Sequence, residues 1–176
     1  MNQSISLYLV SHIDALSQFI GKALAWLTLL MVLLVALVVA MRTFLDKGSI
    51  PLQESITYMH AAVFLLCLGY NVQQGAHVRV DVFYGRFNKS QKAWVDAIGA
   101  VCFLLPFALF LMLSSLQFVA NAWQISETSA DPGGLPFVYA LKTLIPLAGL
   151  LLALQALAEV LRALHTLCWA DNSEPS

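Results

Sequence analysis

The side chains able to do chemistry in this chain are few and scattered: His12, His60, His77 and His165, Cys67, Cys102 and Cys168, and carboxylates such as Glu54, Asp96 and Glu159. Haem ligation needs two histidines at matching depth on facing helices. Only His60 lies inside a stretch apolar enough to cross a membrane, while His12, His77 and His165 lie near the ends of such stretches. Thiol–disulfide exchange needs paired, activated cysteines. The three here share no CxxC spacing and read as small hydrophobes. A proton-coupled carrier places a carboxylate deep in a span, where its ionisation becomes a switch. Glu54, Asp96 and Glu159 sit near span ends, where a structural role is expected. The residues therefore predict no catalytic centre, no cofactor and no metal site in this chain, and it is not expected to be an enzyme.

The elements that carry these residues follow from composition. At 176 residues, 60% hydrophobic, 11% charged and with a mean hydropathy of +0.78, the chain does not suit a water-facing surface. It reads as an all-α integral membrane protein. A net charge of -1 says little about partners, and none is expected to be a nucleic acid; the sidedness of the charges carries the information. Four spans are expected at about 23–41, 52–73, 93–124 and 135–164, each near the ~20 residues that cross a bilayer or longer. Ahead of them, 5–22 places Ile5, Leu9, Ile13, Leu16 and Ile20 at helical steps, as an amphipathic helix lying in the membrane interface would. The alternative is a simple extension of the first span. No cleavable signal peptide is evident, since the first apolar run ends on Met41 and Arg42. The segment 165–176 reads as a disordered tail.

Two spans carry polar stripes. On the second, Gln53, Thr57, His60, Cys67, Asn71 and Gln74 fall within an arc of ~100°, with Glu54 at its edge near the helix start. On the third, Asp96, Gly99, Ser114, Gln117 and Asn121 share an arc with Phe103 and Phe110, and Pro106 is expected to kink it. Such faces suit protein contact better than lipid. On the fourth, Gly149, Ala153 and Ala156 form a small-residue seam for close helix approach.

The loop from Gln74 to Lys92 holds Arg79, Arg86, Lys89 and Lys92, four of the nine basic residues. The positive-inside rule puts it in the cytoplasm, and both termini with it. Within it, His77, Arg79 and Asp81 alternate with valines. They either hold the loop at lipid headgroups or make a charge-paired contact with another subunit, which Asp81 favours because anionic lipid repels it. The opposite loop, Ser126 to Pro136, is acidic through Glu127 and Asp131 and rich in turn formers; a solvated turn and a docking site are both open. Lys142 follows it, near the outer end of the fourth span. Glu54, Thr57, His60, Asn71, His77, Arg79, Asp81, Asp96 and Lys142 are thus the candidates for subunit contact or membrane anchoring.

Several of these stretches together resemble the small membrane subunit, DctQ type, of tripartite ATP-independent periplasmic (TRAP) transporters. The likeness covers most of Trp26 to Arg162: Arg42 after the first span, LQE at Leu52 to Glu54, GAHVRVD at Gly75 to Asp81, ETSADPGGLP at Glu127 to Pro136 and LKTLIPLAGLLLALQ at Leu141 to Gln155. The resemblance implies a scaffold subunit in a bacterial inner membrane. A separate large membrane subunit would carry the solute and sodium sites, and a periplasmic binding protein would deliver an organic acid, with Glu127 and Asp131 candidates for docking it. Membrane lipids are the remaining partners. Two other classes stay open from the residues alone: a self-sufficient homo-oligomeric four-helix transporter or channel, and a membrane redox subunit.

Overall fold

The computed structural model describes residues 3–75, 85 and 87–170. His77, Arg79, Asp81 and Arg86 lie outside the described residues, as does the segment 171–176. Among the described residues four helices are long and apolar enough to cross a membrane. They are α1 (Gln3–Leu45), α2 (Ile50–Gln73), α3 (Lys89–Gln124) and α4 (Val138–Ala170).

α1 carries no break between 22 and 23, so the N-terminal segment and the first span form one continuous helix. No proline or glycine pair interrupts 3–45, and nothing in the sequence there stops a helix. At ~1.5 Å per residue it is about 65 Å long, roughly twice a ~30 Å hydrocarbon core. The expected apolar stripe of its first half is divided, with Ile13 buried, Ile20 half-buried and Leu9 and Leu16 exposed. Val10, Ile13, Ser17 and Leu24 are buried while Leu7, Tyr8, Leu9, Leu16 and Phe19 point outward. α1 stops where Asp46 adopts φ 49 and the Lys47 N–H reaches back 3.3 Å to the Met41 carbonyl, a left-handed cap that satisfies a terminal acceptor.

α2 opens with Pro51 in its first turn, where the missing N–H costs nothing. α3 opens at Lys89, earlier than residue 93, because Asn88 and Gln91 form a reciprocal capping box with bonds of 2.8 and 3.1 Å. Pro106 does not simply kink α3. The turn before it widens into a π-helix over Ala100–Leu104, with the Leu105 N–H bonded to the Ala100 carbonyl. Proline would crowd the carbonyl four residues back, and the wider turn relieves that contact. α4 runs through Pro146 and on to Ala170, so 165–170 is helical.

α4 is the hub: it packs on α1, α2 and α3, and the other main pairing is α1 with α2. Nine of the fifteen buried apolar residues described are alanines, so the helices close by backbone approach more than by large side chains. Three clusters do this. Val10 and Ile13 of α1 meet Ala158 of α4; Val72 of α2 meets Ala108 of α3 and Leu152 of α4; Ala93 and Ala97 of α3 meet Ala163 of α4. At Gly149 an added Cβ would lie 2.7 Å from the Met112 nitrogen and 2.9 Å from the Ala108 oxygen, so α3 and α4 approach closely there.

Candidate functional site

Polar groups gather in three places, and two are internal. The first is a clasp at the end of the bundle that carries the N-terminus, here called the near end. Gln155 of α4 is fully buried, and a primary amide in that position must find partners or cost roughly 1–3 kcal/mol. It finds both on α1. Its Oε1 accepts from the Ser17 hydroxyl at 3.1 Å, and its Nε2 donates to Asp14 Oδ1 at 3.3 Å. The same Asp14 oxygen accepts from Arg162 Nη2 at 2.7 Å, and Arg162 Nη1 donates to Glu159 Oε1 at 2.6 Å. Gln73 of α2 joins by donating to the Asp14 carbonyl at 3.2 Å. This network is why Asp14 and Ser17 point into the bundle beside Val10 and Ile13: both have protein partners there.

The second lies at the opposite, far end, and it uses residues the sequence marks. Glu54 Oε2 accepts the Leu135 N–H at 2.5 Å, and its Oε1 accepts the Ser129 hydroxyl. The carboxylate thus ties the loop between α3 and α4 onto the start of α2, beyond any favourable interaction with the helix dipole. Lys142 donates to both oxygens of Glu127 at 2.7 and 2.5 Å, and its ammonium sits 4.0 Å above the Phe118 ring. The anchoring candidate and one docking candidate therefore hold each other. Asp131 stays exposed at the tip, beside Gly133 at φ +79, with its carbonyl accepting from Gly134 at 3.0 Å. Trp123 Nε1 donates to Thr143 Oγ1 at 2.9 Å and completes the closure.

The third group is external. On α2, Gln53, Thr57, His60, Asn71 and Gln74 are exposed and Cys67 is half-buried, so the predicted stripe faces away from the bundle. On α3, Ser114, Gln117 and Asn121 are exposed, with Gln117 Nε2 donating to Asn121 Oδ1 at 2.8 Å. Phe103 and Phe110 stand out beside them. Asp96 and Gly99 are half-buried and line a groove at the near end of α3. Thr57 donates its hydroxyl to the Gln53 carbonyl at 3.3 Å, so Thr57, Gln117 and Asn121 each hold one contact within the chain.

Sequence reasoning singled out none of Asp14, Ser17, Gln155 and Arg162 as a site. The available signal was Gln155 standing alone in an apolar run, with Glu159 and Arg162 following at steps of four and three. Among the described residues no group of three or more histidines, cysteines and carboxylates is placed to hold a metal ion.

Four apolar helices, three of them packed on the fourth, closed by small residues and pinned at both ends by internal polar contacts, define a multi-pass membrane protein. The model of the family "Tripartite ATP-independent periplasmic transporters, DctQ component" matches residues 31–166. The chain belongs to this family of TRAP transporter small membrane subunits, a family of transport components and not of enzymes. No curated protein and no solved structure matches the chain.

Proposed function

We propose that this chain is a non-transporting brace for the large carrier subunit of a sodium-driven TRAP system that imports an organic acid delivered by a periplasmic binding protein. The observation that carries this reading is the outward position of both polar stripes. In hydrocarbon an unpartnered amide costs several kcal/mol. Gln53 and Asn71 on the outer surface of the chain, with the hydrogen-bonding groups that the Gln117–Asn121 pair leaves unused, thus call for protein contact along α2 and α3. Most of the chain's internal polar groups, in contrast, are engaged in holding its helices together, with the Tyr58 hydroxyl and Gln73 Oε1 the buried exceptions among the described residues.

The near end faces the cytoplasm of a bacterial inner membrane on this reading, with both termini there. Lys22, Lys89, Lys92 and Arg162 lie at that end, and the adjoining loop adds Arg79 and Arg86, against Arg42, Lys47 and Lys142 toward the far end. The far-end loop then faces the binding protein. Asp131 is its exposed carboxylate, and the pairing of Glu127 with Lys142 shifts the docking role onto Asp131.

Photocrosslinking groups at Thr57, Asn71 and Ser114 in assembled membranes test the brace. Adducts with the large subunit are expected. Adducts with lipid alone refute it, and adducts between copies of this chain favour the homo-oligomeric alternative.

A further inference from the structure

The loop between α3 and α4 is fixed to the bundle at both feet. It leaves α3 through Ser126 at φ 47, with the Ser126 N–H bonded to the Trp123 carbonyl at 3.1 Å and the Glu127 N–H to the Ala122 carbonyl at 3.0 Å. This left-handed stop satisfies terminal acceptors of the helix. Trp123 and Tyr139, one at each foot, have ring centroids 4.5 Å apart, and such rings favour the headgroup level of a membrane. Beyond them the Ser129 N–H donates to the Leu135 carbonyl at 3.1 Å and closes a loop whose tip is residues 130–134. The tip is tied down further. The Asp131 N–H donates to Ser129 Oγ at 3.1 Å, and that hydroxyl donates onward to Glu54 Oε1 of α2, whose Oε2 holds the Leu135 N–H. Ser129 thus links the tip to the membrane-spanning bundle. Gly134 leaves room for this link, since a Cβ there would lie 2.5 Å from Ser129 Oγ and 2.7 Å from Glu54 Oε1.

Resting on the reading of Asp131 as the docking carboxylate, we infer that Ser129 and Glu54 are positioning residues for capture of the periplasmic binding protein. They latch the tip so that the exposed Asp131 carboxylate meets a basic surface patch of the incoming protein. A carboxylate on a wandering loop attracts cations but presents itself in many orientations. A latched one is ready to pair on encounter, with no ordering left to do at that step. When only the latched loop is competent, the apparent association rate scales with the latched fraction, and the dissociation rate does not. The latch also stays clear of the face assigned to the large subunit: Gln53 and Thr57 are exposed there, whereas the half-buried Glu54 is turned to the loop.

The test uses the co-expressed membrane complex in nanodiscs and the purified binding protein of the same system. Association and dissociation are followed by interferometry at several ionic strengths, and exchange of the Leu135 amide by mass spectrometry. Ser129→Ala removes both bonds of the hydroxyl; it is expected to speed that exchange and to slow association about fivefold, with dissociation and salt dependence unchanged. Gly134→Ala keeps every polar group and intrudes on the latch by bulk alone, and it should act the same way. Asp131→Asn leaves the latch closed, so Leu135 exchange stays as in the unaltered chain while association slows about threefold and loses part of its salt dependence. Unchanged association in Asp131→Asn overturns the docking reading itself. Association slowed in Asp131→Asn but untouched in Ser129→Ala and Gly134→Ala, with their Leu135 amides exchanging faster, overturns the positioning role alone. Unaltered Leu135 exchange in both of those variants overturns it as well.

Discussion

Replacing Gly149 by alanine isolates the energetics of close helix approach in this bundle. The new Cβ would lie 2.7 Å from the Met112 nitrogen and 2.9 Å from the Ala108 oxygen, where ordinary contact begins at 3.4 Å. Both obstacles are backbone, so no side chain can swing aside, and α3 must part from α4 by about 0.7 Å. Overpacking of this kind costs about 1–3 kcal/mol. Alanine also gains up to about 1 kcal/mol of helix propensity over glycine. The net loss is therefore about 0–2 kcal/mol, too blurred to interpret alone. Gly69→Ala supplies the control: it gains the same propensity, and its Cβ would sit 3.4 Å from the nearest atom, the Leu151 oxygen. SDS-titrated unfolding in mixed micelles, followed by circular dichroism, should place Gly149→Ala about 1–3 kcal/mol below Gly69→Ala. Equal midpoints for the two variants would refute the claim that this contact limits the α3–α4 distance.

Three further outcomes are expected. Arg162→Leu leaves Asp14 and Glu159 without their shared cation; with these side chains 19–32% exposed, the loss is about 1–2 kcal/mol, read as faster amide exchange over residues 3–24. Glu54→Gln replaces a charged acceptor by a neutral one, so the Leu135 amide should exchange severalfold faster. Asp131→Lys should lower uptake about threefold or more through slower capture of the binding protein, with assembly intact. Glu127→Lys is expected to disturb the loop as well by breaking its pair with Lys142, and unchanged uptake in Asp131→Lys would remove the docking role.

The spans were legible because a charge-free run such as Ala23 to Met41 has few alternatives to a membrane-crossing helix. The tight far-end turn was legible from Asp131, Pro132, Gly133 and Gly134 for the same local reason. The inward face of α1 was not. Periodicity arguments place apolar residues inside, which holds against water; against lipid the preference is weak, and Asp14 and Ser17 decide the rotation through partners 138 and more residues away. Pro106 marked a disturbance in α3, but whether a helix answers with a kink or a π-turn depends on the packing of Ala93, Ala97 and Ala100 against α4. The polar stripes were legible as patterns, and their outward position needed the whole bundle.

The hub position of α4 has a consequence for biosynthesis. It is the last of the four helices to leave the ribosome, yet each of the others packs on it. The hairpin of α1 and α2 can pair early, whereas the amide that Ser17 and Asp14 need emerges only with Gln155. Until then the nascent chain carries a carboxylate and a hydroxyl with no lasting partner in the bundle. Truncation before α4 should therefore yield a product that inserts but is cleared by quality-control proteases.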